Sequence, residues 1–168
     1  MLRVLVPSDG SANSQYGVRH VMGEFMKNRN LEIHLLNVQR PFSSHIARFS
    51  SKRARVDFQR EQAEMALKPV RQALDGSNVP YTVHTEVGDE AYCIADAARR
   101  LQCDRIVMGT ARKTSLMRWL GDSTTNKVIK RTTVPVEVIA GDAVSSLKRV
   151  AVPAGIGTGA LFVWMAAD

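Results

Sequence analysis

Short apolar runs alternate along this chain with longer segments that repeat apolar residues at helical spacing. The runs "LRVLVP" (2–7) and "DRIVMG" (104–109) are apolar almost throughout, whereas residues 13–27 place apolar side chains on one helical face. Strands without polar alternation are typical of parallel sheets that helices cover on both sides. The pattern therefore predicts an α/β fold, an open five-stranded parallel sheet with helices on both faces.

The same pattern predicts where each element lies. Strands are expected at 2–7, 31–38, 81–87, 104–109 and 134–140, and helices at 13–27, about 54–74, 89–101 and 123–131. Residues 39–52 are predicted to form a loop, and Pro69 is expected to kink or break the long helix. Because parallel sheets bind ligands at the carboxyl ends of strands, beside a switch in strand order, the turns after Pro7, Val38 and Gly109 are the first candidate site.

Four segments carry a resemblance to a known family. The segments "VLVPSDGSANS", "LLNV", "VGDEAYCIADAARRLQCDRIVMGT" and "VPVEVI" occur in the order and spacing of the universal stress protein family (UspA-like domain). The resemblance covers residues 1–141, and 142–168 are left as an apolar C-terminal extension. It implies a Rossmann-like fold of the adenine-nucleotide alpha-hydrolase type. It also implies a cytoplasmic stress-response protein that forms a homodimer, for which the fifth strand (134–140) is the expected interface.

The resemblance further implies a site for an adenine nucleotide, ATP or AMP, with Mg²⁺ accompanying the phosphates. Asp9 would hydrogen-bond the adenine or ribose, Val38 and Met108 would line the base pocket, and Gly109 would let the backbone approach the nucleotide. Hydroxyl groups at a helix N-terminus would bind phosphate, because backbone N–H groups and the helix dipole favour an anion there. The implied nucleotide-binding residues are Pro7, Asp9, Val38, Met108, Gly109, Arg112, Ser123, Thr124 and Thr125.

The phosphate loop departs from the family pattern of Gly-x-x-Gly, nine residues, then Gly-Ser or Gly-Thr. Gly109 and Ser123 stand at the family spacing, but Arg112 and Asp122 occupy the second and third glycine positions. A guanidinium can bind phosphate directly. A carboxylate before a helix is instead a good N-cap. It would also repel an anion 4 Å away by about 1 kcal/mol in water, or about 4 at an effective dielectric of 20.

Two functions stay open at this point. The first is a nucleotide-responsive stress protein, and the second is a dimeric interaction module of the same family that binds no nucleotide and acts through an unidentified protein partner. Enzymatic activity is expected to be at most slow ATP hydrolysis, because the sequence offers no evident base to activate water. A binding or regulatory protein is therefore the favoured class.

Net charge and residue types indicate what to expect of nucleic-acid binding, membrane contact and location in the cell. The formal net charge of +7 favours anionic partners, but the basic runs at 48–60 and 112–131 are typical of solvated faces, and nucleic acid is not expected as a partner. The uncharged stretch 150–167 leaves membrane contact of the tail open, although Pro153 and three glycines count against it. Two cysteines and an N-terminus that enters a strand at once favour the cytoplasm.

Catalytic and metal sites are not predicted. The four histidines (His20, His34, His45 and His84) show no metal-ligand spacing, and no nucleophilic triad is apparent. Ser8 and Ser11, which flank Asp9, are interpreted as turn residues. Cys93 is expected in the core.

Overall fold

A single sheet of five parallel strands, with helices between them along the chain, forms the core of the protein. The computed structural model describes residues 1–110 and 123–141. The strands are β1 (Leu2–Pro7), β2 (Leu31–Gln39), β3 (Tyr81–Val87), β4 (Arg105–Thr110) and β5 (Val136–Ala140), and the helices are α1 (Ser14–Lys27), α2 (Ser44–Phe49), α3 (Lys52–Gly76), α4 (Glu90–Arg100) and α5 (Thr124–Arg131). The strand order is β3-β2-β1-β4-β5, and all pairings are parallel. The predicted α/β fold is confirmed.

Helices cover both faces of the sheet. Successive side chains of β1 point to opposite faces and therefore pack against different helices. Val4 and Val6 pack in one buried cluster with side chains of α1 and α3. Leu5 packs in a second cluster with side chains of α4 and α5. A strand between two helical layers buries side chains on both of its faces, and at about 25 cal/mol per Å² of apolar surface this explains why its sequence lacks polar alternation.

The prediction of a loop over 39–52 is wrong in part, since α2 lies within that range. Two serines of the range 39–52 are the N-caps of α2 and α3. The Ser43 hydroxyl accepts a hydrogen bond from the Ile46 amide at 3.4 Å, and the Ser51 hydroxyl accepts one from the Ala54 amide at 3.1 Å. Serine suits both a loop and an N-cap, and composition alone does not distinguish the two.

Pro69 does not break the long helix, because α3 continues through it, and a kink at this residue stays a prediction. Pro69 lies on the exposed side of the helix, whereas Leu67, Val70 and Leu74 are buried against the sheet. A proline removes one backbone hydrogen bond, and on the exposed side water can hydrate the carbonyl that loses its partner. The buried face holds the helix in place on either side of the proline.

Some predictions fall outside the described residues. The loop that carries Arg112 and Asp122 lies in 111–122, and the expected C-terminal extension lies in 142–168. The division of the chain at residue 141 stays a prediction. Across residues 1–110 and 123–141, none of the helices combines the length and the apolar character that crossing a bilayer demands.

Candidate functional site

A polar cleft opens at the carboxyl ends of β1 and β4. These strands are neighbours in the sheet although β2 and β3 lie between them in the chain, so the strand order reverses here. The end of such a strand pair is the usual ligand position in open α/β sheets. The described residues that line the cleft are Pro7, Ser8, Asp9, Ser11, Asn13, Ser14, Glu90, Met108, Gly109, Thr110, Thr124 and Thr125.

Hydrogen bonds among polar side chains hold the turn that follows β1. Asp9 Oδ1 accepts a hydrogen bond from the Ser11 amide at 3.0 Å, and Ser11 Oγ accepts one from the Ser14 amide at 3.2 Å. The Ser14 and Ser8 hydroxyl oxygens lie 3.2 Å apart. The buried Asn37 side chain donates to the Ser8 carbonyl at 2.8 Å. The interpretation of Ser8 and Ser11 as turn residues is confirmed, and the turn presents the Asp9 carboxylate to the cleft.

The charge on Asp9 is stabilised by this turn. Partial removal of water raises the pKa of its carboxyl, but hydrogen bonds from the Ser11 hydroxyl and amide and from the Ser14 hydroxyl outweigh that effect, and the pKa is lowered from its ordinary value. Asp9 is therefore an anion at neutral pH, acting as a hydrogen-bond acceptor.

Close backbone packing at glycines shapes the cleft. A Cβ added to Gly109 would lie 2.0 Å from the Asn13 carbonyl oxygen, and one added to Gly17 would lie 3.1 Å from the Gly109 nitrogen. These two glycines let the start of α1 approach the end of β4. Gly10 has a φ of +80°, and a Cβ there would lie 2.6 Å from the Ala66 carbonyl oxygen. Gly109 therefore has a packing role, and its role toward a nucleotide stays a prediction.

The start of α5 contributes hydroxyl groups to the cleft. The Ser123 hydroxyl accepts a hydrogen bond from the Asn126 amide at 3.2 Å, which makes Ser123 the N-cap of this helix. Asp122, for which a capping role was considered, lies outside the described residues. Thr124 Oγ1 donates to Glu90 Oε2 at 2.9 Å. This bond joins the first turns of α4 and α5.

Two carboxylates, Asp9 and Glu90, give the cleft an acidic character. Of the described residues that line it, none carries a positively charged side chain. Carboxylate and hydroxyl oxygens are the ligands that Mg²⁺ prefers, and Mg²⁺ commonly binds through one or two carboxylates together with substrate phosphates. The donor set therefore suits an ion that accompanies a phosphate better than it suits a bare phosphate.

Most of the residues predicted for a nucleotide site come together here. Those that line the cleft are Pro7, Asp9, Met108, Gly109, Thr124 and Thr125. Ser123 precedes them as the cap of α5. Val38 is not among the lining residues that the structure describes. It lies at the end of β2 and packs against the cluster that contains Leu36. Arg112 lies outside the described residues.

Sequence reasoning missed the part that Glu90 plays in the cleft. Glu90 lies in the first turn of a helix that begins after β3, and β3 is not next to the reversal in strand order. Its position depends on how α4 crosses the sheet to meet α5. The available signal was Asp89, which precedes it and accepts a hydrogen bond from the Tyr92 amide at 2.9 Å. A capped helix directs its first side chains to the carboxyl edge of a parallel sheet.

Comparison with known sequences gives a consistent result. The sequence profile of the universal stress protein family matches residues 1–140. The chain is also 31% identical over 141 residues to Universal stress protein MJ0531 of Methanocaldococcus jannaschii, with 82% of this chain and 81% of that protein covered. The matched range contains every described residue of the cleft.

Solved structures resemble the described fold. The chain is 25% identical to the protein MJ0577, with a TM-score of 0.66 over 83% of this chain and 96% of that one. It is 17% identical to an Arabidopsis thaliana protein of the universal stress protein family with AMP bound, with a TM-score of 0.62 over 85% of this chain and 94% of that one. The second likeness is one of fold alone.

Proposed function

Because this chain belongs to the universal stress protein family, we propose that it is a nucleotide-responsive stress protein whose cleft binds an adenine nucleotide. The observation that carries the proposal is the convergence of Asp9, Met108 and the hydroxyl groups of α5 at the reversal in strand order. The structural neighbour with AMP bound supports adenine as the base.

The chemistry of the lining divides the cleft into two parts. Met108 supplies an apolar surface and Asp9 an acceptor, which suit the face of a base and a ribose hydroxyl or adenine amino group. Thr124 and Thr125 supply hydroxyl groups at the N-terminus of α5, where an anion is favoured. We infer that the nucleoside lies near the end of β1 and that its phosphate points towards α5.

Charge limits which nucleotides bind well. Asp9 and Glu90 both oppose the approach of a phosphate, and each additional phosphate oxygen increases that cost. We therefore infer that AMP binds without a metal, whereas ATP binds together with Mg²⁺, which the carboxylates attract. The role is regulatory rather than enzymatic, because the two described carboxylates balance the charge of a metal and leave no evident base aimed at a water.

Dimerisation is part of the proposal. β5 lies at one edge of the described sheet, where the outer side of a strand can pair with a strand of a second copy. Nucleotide binding in the cleft at the carboxyl ends of β1 and β4 would then alter the dimer or a surface used by a protein partner in the cytoplasm. Analytical ultracentrifugation with and without AMP measures the first of these effects.

Calorimetric titration with AMP and with Mg-ATP tests the proposal. Wild-type protein should bind with micromolar affinity, and Asp9→Ala should weaken binding at least about tenfold, because a hydrogen bond to a charged group is worth about 1.5–3 kcal/mol. Asp57→Ala is the matched control, since Asp57 is an exposed carboxylate of α3 that pairs with Arg60. Equal affinities for wild type and Asp9→Ala would contradict the proposed contact.

One observation favours the second function, an interaction module without a nucleotide. The Ser123 hydroxyl is already engaged as a helix cap, and the described lining of the cleft is acidic. If wild-type protein gives only heat of dilution up to millimolar Mg-ATP, while Asp122→Gly binds, the nucleotide site has been closed by the residue at the third glycine position. The function would then depend on protein contacts alone.

A further inference from the structure

A cluster of ionisable side chains lies away from the cleft, between α1 and the edge strand β5. His20 and Glu24 are one turn apart on α1, Glu137 is on β5, and Arg105 is on β4. His20 Nε2 lies 3.0 Å from Glu137 Oε1 and 3.4 Å from Glu24 Oε1. We call these four residues the α1–β5 cluster.

Arg105 fixes the two carboxylates of this cluster. Its Nη1 donates to Glu137 Oε2 at 2.7 Å, and its Nη2 donates to Glu24 Oε2. Glu24 Oε1 also accepts a longer hydrogen bond from Nη1, at 3.4 Å. The guanidinium thus holds the outer oxygen of each carboxylate, and both Oε1 atoms are turned towards His20.

The histidine nitrogen between those oxygens lacks a partner. His20 Nε2 is out of contact with solvent and has no hydrogen bond of acceptable geometry. A buried polar atom without a partner is costly, and the two carboxylate oxygens that lie close to it repel each other. A cation between the three atoms removes the repulsion. The cation can be a proton on His20 or a metal ion.

We propose that His20, Glu24 and Glu137 form a site for a divalent transition-metal ion, with zinc as the ion they fit best. The three ligand atoms lie within 4.8 Å of one another. Zinc binds imidazole nitrogen and carboxylate oxygen at about 2.0–2.2 Å in tetrahedral geometry, which places neighbouring ligands about 3.3 Å apart. The measured separations of 3.0 and 3.4 Å bracket that value.

The net charge of the α1–β5 cluster and its position between α1 and β5 also support a metal site. The two carboxylates and Arg105 together carry one net negative charge, so the cluster attracts a cation. Arg105 acts as the outer partner that orients ligating carboxylates in metal sites. A bound ion would tie α1 to β5 and would leave the fourth position of a tetrahedron for water. The sequence predicted no metal site, although His20 and Glu24 form an i, i+4 pair on α1.

Titration of the untagged, chelator-treated full chain with ZnCl₂ tests the proposal. We expect one ion per chain at pH 7.5 and at least about tenfold weaker binding in both His20→Gln and Glu137→Gln. His84→Gln is the matched control, because His84 and His34 have ring nitrogens 3.0 Å apart and form the other place where a histidine could attract zinc. His45→Gln, on the exposed α2, controls for loss of any histidine.

Cobalt(II) and thermal unfolding supply independent measurements. Cobalt bound to wild-type protein should give the visible absorption of a tetrahedral site, and zinc should raise the unfolding temperature of wild type but not of His20→Gln. Circular dichroism of the metal-free variants shows that they are folded.

Absence of zinc binding by wild type would show that the cluster holds no metal ion. Loss of binding in His84→Gln, with His20→Gln unaffected, would place the ion at the other histidine pair. Either result overturns the proposal.

Discussion

The cleft and the α1–β5 cluster both bring two carboxylates together, but they do so by different means. In the cleft, Asp9 and Glu90 accept hydrogen bonds from neutral amide and hydroxyl groups, and close backbone packing sets the geometry. In the cluster, Glu24 and Glu137 are positioned by the charged side chain of Arg105. The cleft therefore keeps its negative charge for a ligand, whereas much of the charge in the cluster is already balanced.

This difference indicates which changes should disturb each region. Added volume at a glycine should damage the cleft, and removal of a charge should damage the cluster. A change of charge in the cleft should instead alter the affinity for a nucleotide and leave the fold intact. The predictions below test that division, and three of the four have a control variant elsewhere in the chain.

The largest effect is expected for Gly109→Ala. The new Cβ would lie 2.0 Å from the Asn13 carbonyl oxygen, so α1 must move away from β4. Overpacking of this kind costs about 1–3 kcal/mol, and contact with backbone places the change at the upper end. Urea unfolding measures the loss, and nucleotide affinity should fall with it.

Gly23→Ala is the control for that substitution. Gly23 also lies on α1, but no atom lies within 4 Å of an added Cβ. Alanine has the higher helix propensity, so this variant should gain up to about 1 kcal/mol. If both alanine variants change stability in the same direction, close packing at Gly109 does not shape the cleft.

A smaller effect is expected for Arg105→Met. The substitution keeps the length of the side chain but leaves Glu24 and Glu137 without a cationic partner. The side chains of Arg105, Glu24 and Glu137 are 20%, 31% and 34% exposed, so water compensates in part, and we expect a loss of about 1–2 kcal/mol of unfolding free energy.

Arg53→Met is the control, because Arg53 pairs with Asp57 but is 93% exposed. Its loss should change the unfolding free energy by less than about 0.5 kcal/mol. Chemical unfolding of the two variants at low and high salt separates the cases. An effect of Arg105→Met as small as that of Arg53→Met would mean that charge does not hold the cluster together.

The next prediction concerns charge in the cleft. Glu90→Gln keeps an acceptor for the Thr124 hydroxyl and removes a negative charge beside α5. An opposing charge at 4 Å costs about 1 kcal/mol in water, so metal-free AMP should bind about fivefold more tightly. Titration with AMP in the presence of a chelator measures this. Weaker binding would show that Glu90 contacts the ligand as an acceptor rather than opposing its phosphate.

The sequence predicted the regions whose signal is local. Apolar runs, and for β3 the alternation of apolar and polar residues, identified the five described strands. The turn after β1 was recognisable because Asp9 and Ser11 are residues that hydrogen-bond to nearby backbone. A reversal in strand order was expected because the pattern predicted an open parallel sheet, and the structure has one between β1 and β4. These features depend on neighbours in the chain or on a pattern shared with a family.

Features that depend on tertiary packing were missed. Pro69 was expected to kink or break a helix, but its position on the exposed side allows α3 to continue through it. The contact between Glu90 and Thr124 joins residues 34 positions apart, and the cluster joins Glu24 to Arg105 across 81 positions. No local pattern carries such a pairing. Such a pairing depends on how the helices pack on the sheet.

The smallest expected effect compares two histidines. His20 faces two carboxylates, whereas His84 faces His34 and Arg100. Burial, followed by the positive charges of His34 and Arg100, lowers the pKa of His84 from its ordinary value of 6.5. The native state therefore takes up a proton on His84 at a lower pH than the unfolded chain does.

The sign of the resulting pH dependence follows from linkage. As pH falls from about 7 through 6.5, the unfolded chain binds a proton at His84 that the native state resists, so the unfolding free energy should fall. In His84→Gln this part of the decrease should vanish, because glutamine does not titrate. Urea unfolding at pH 7.5 and pH 5.5 compares the two proteins, and His45→Gln, on an exposed helix, should behave as wild type. An unchanged pH dependence in His84→Gln would mean that the charges around this histidine do not distinguish it from one in the unfolded chain.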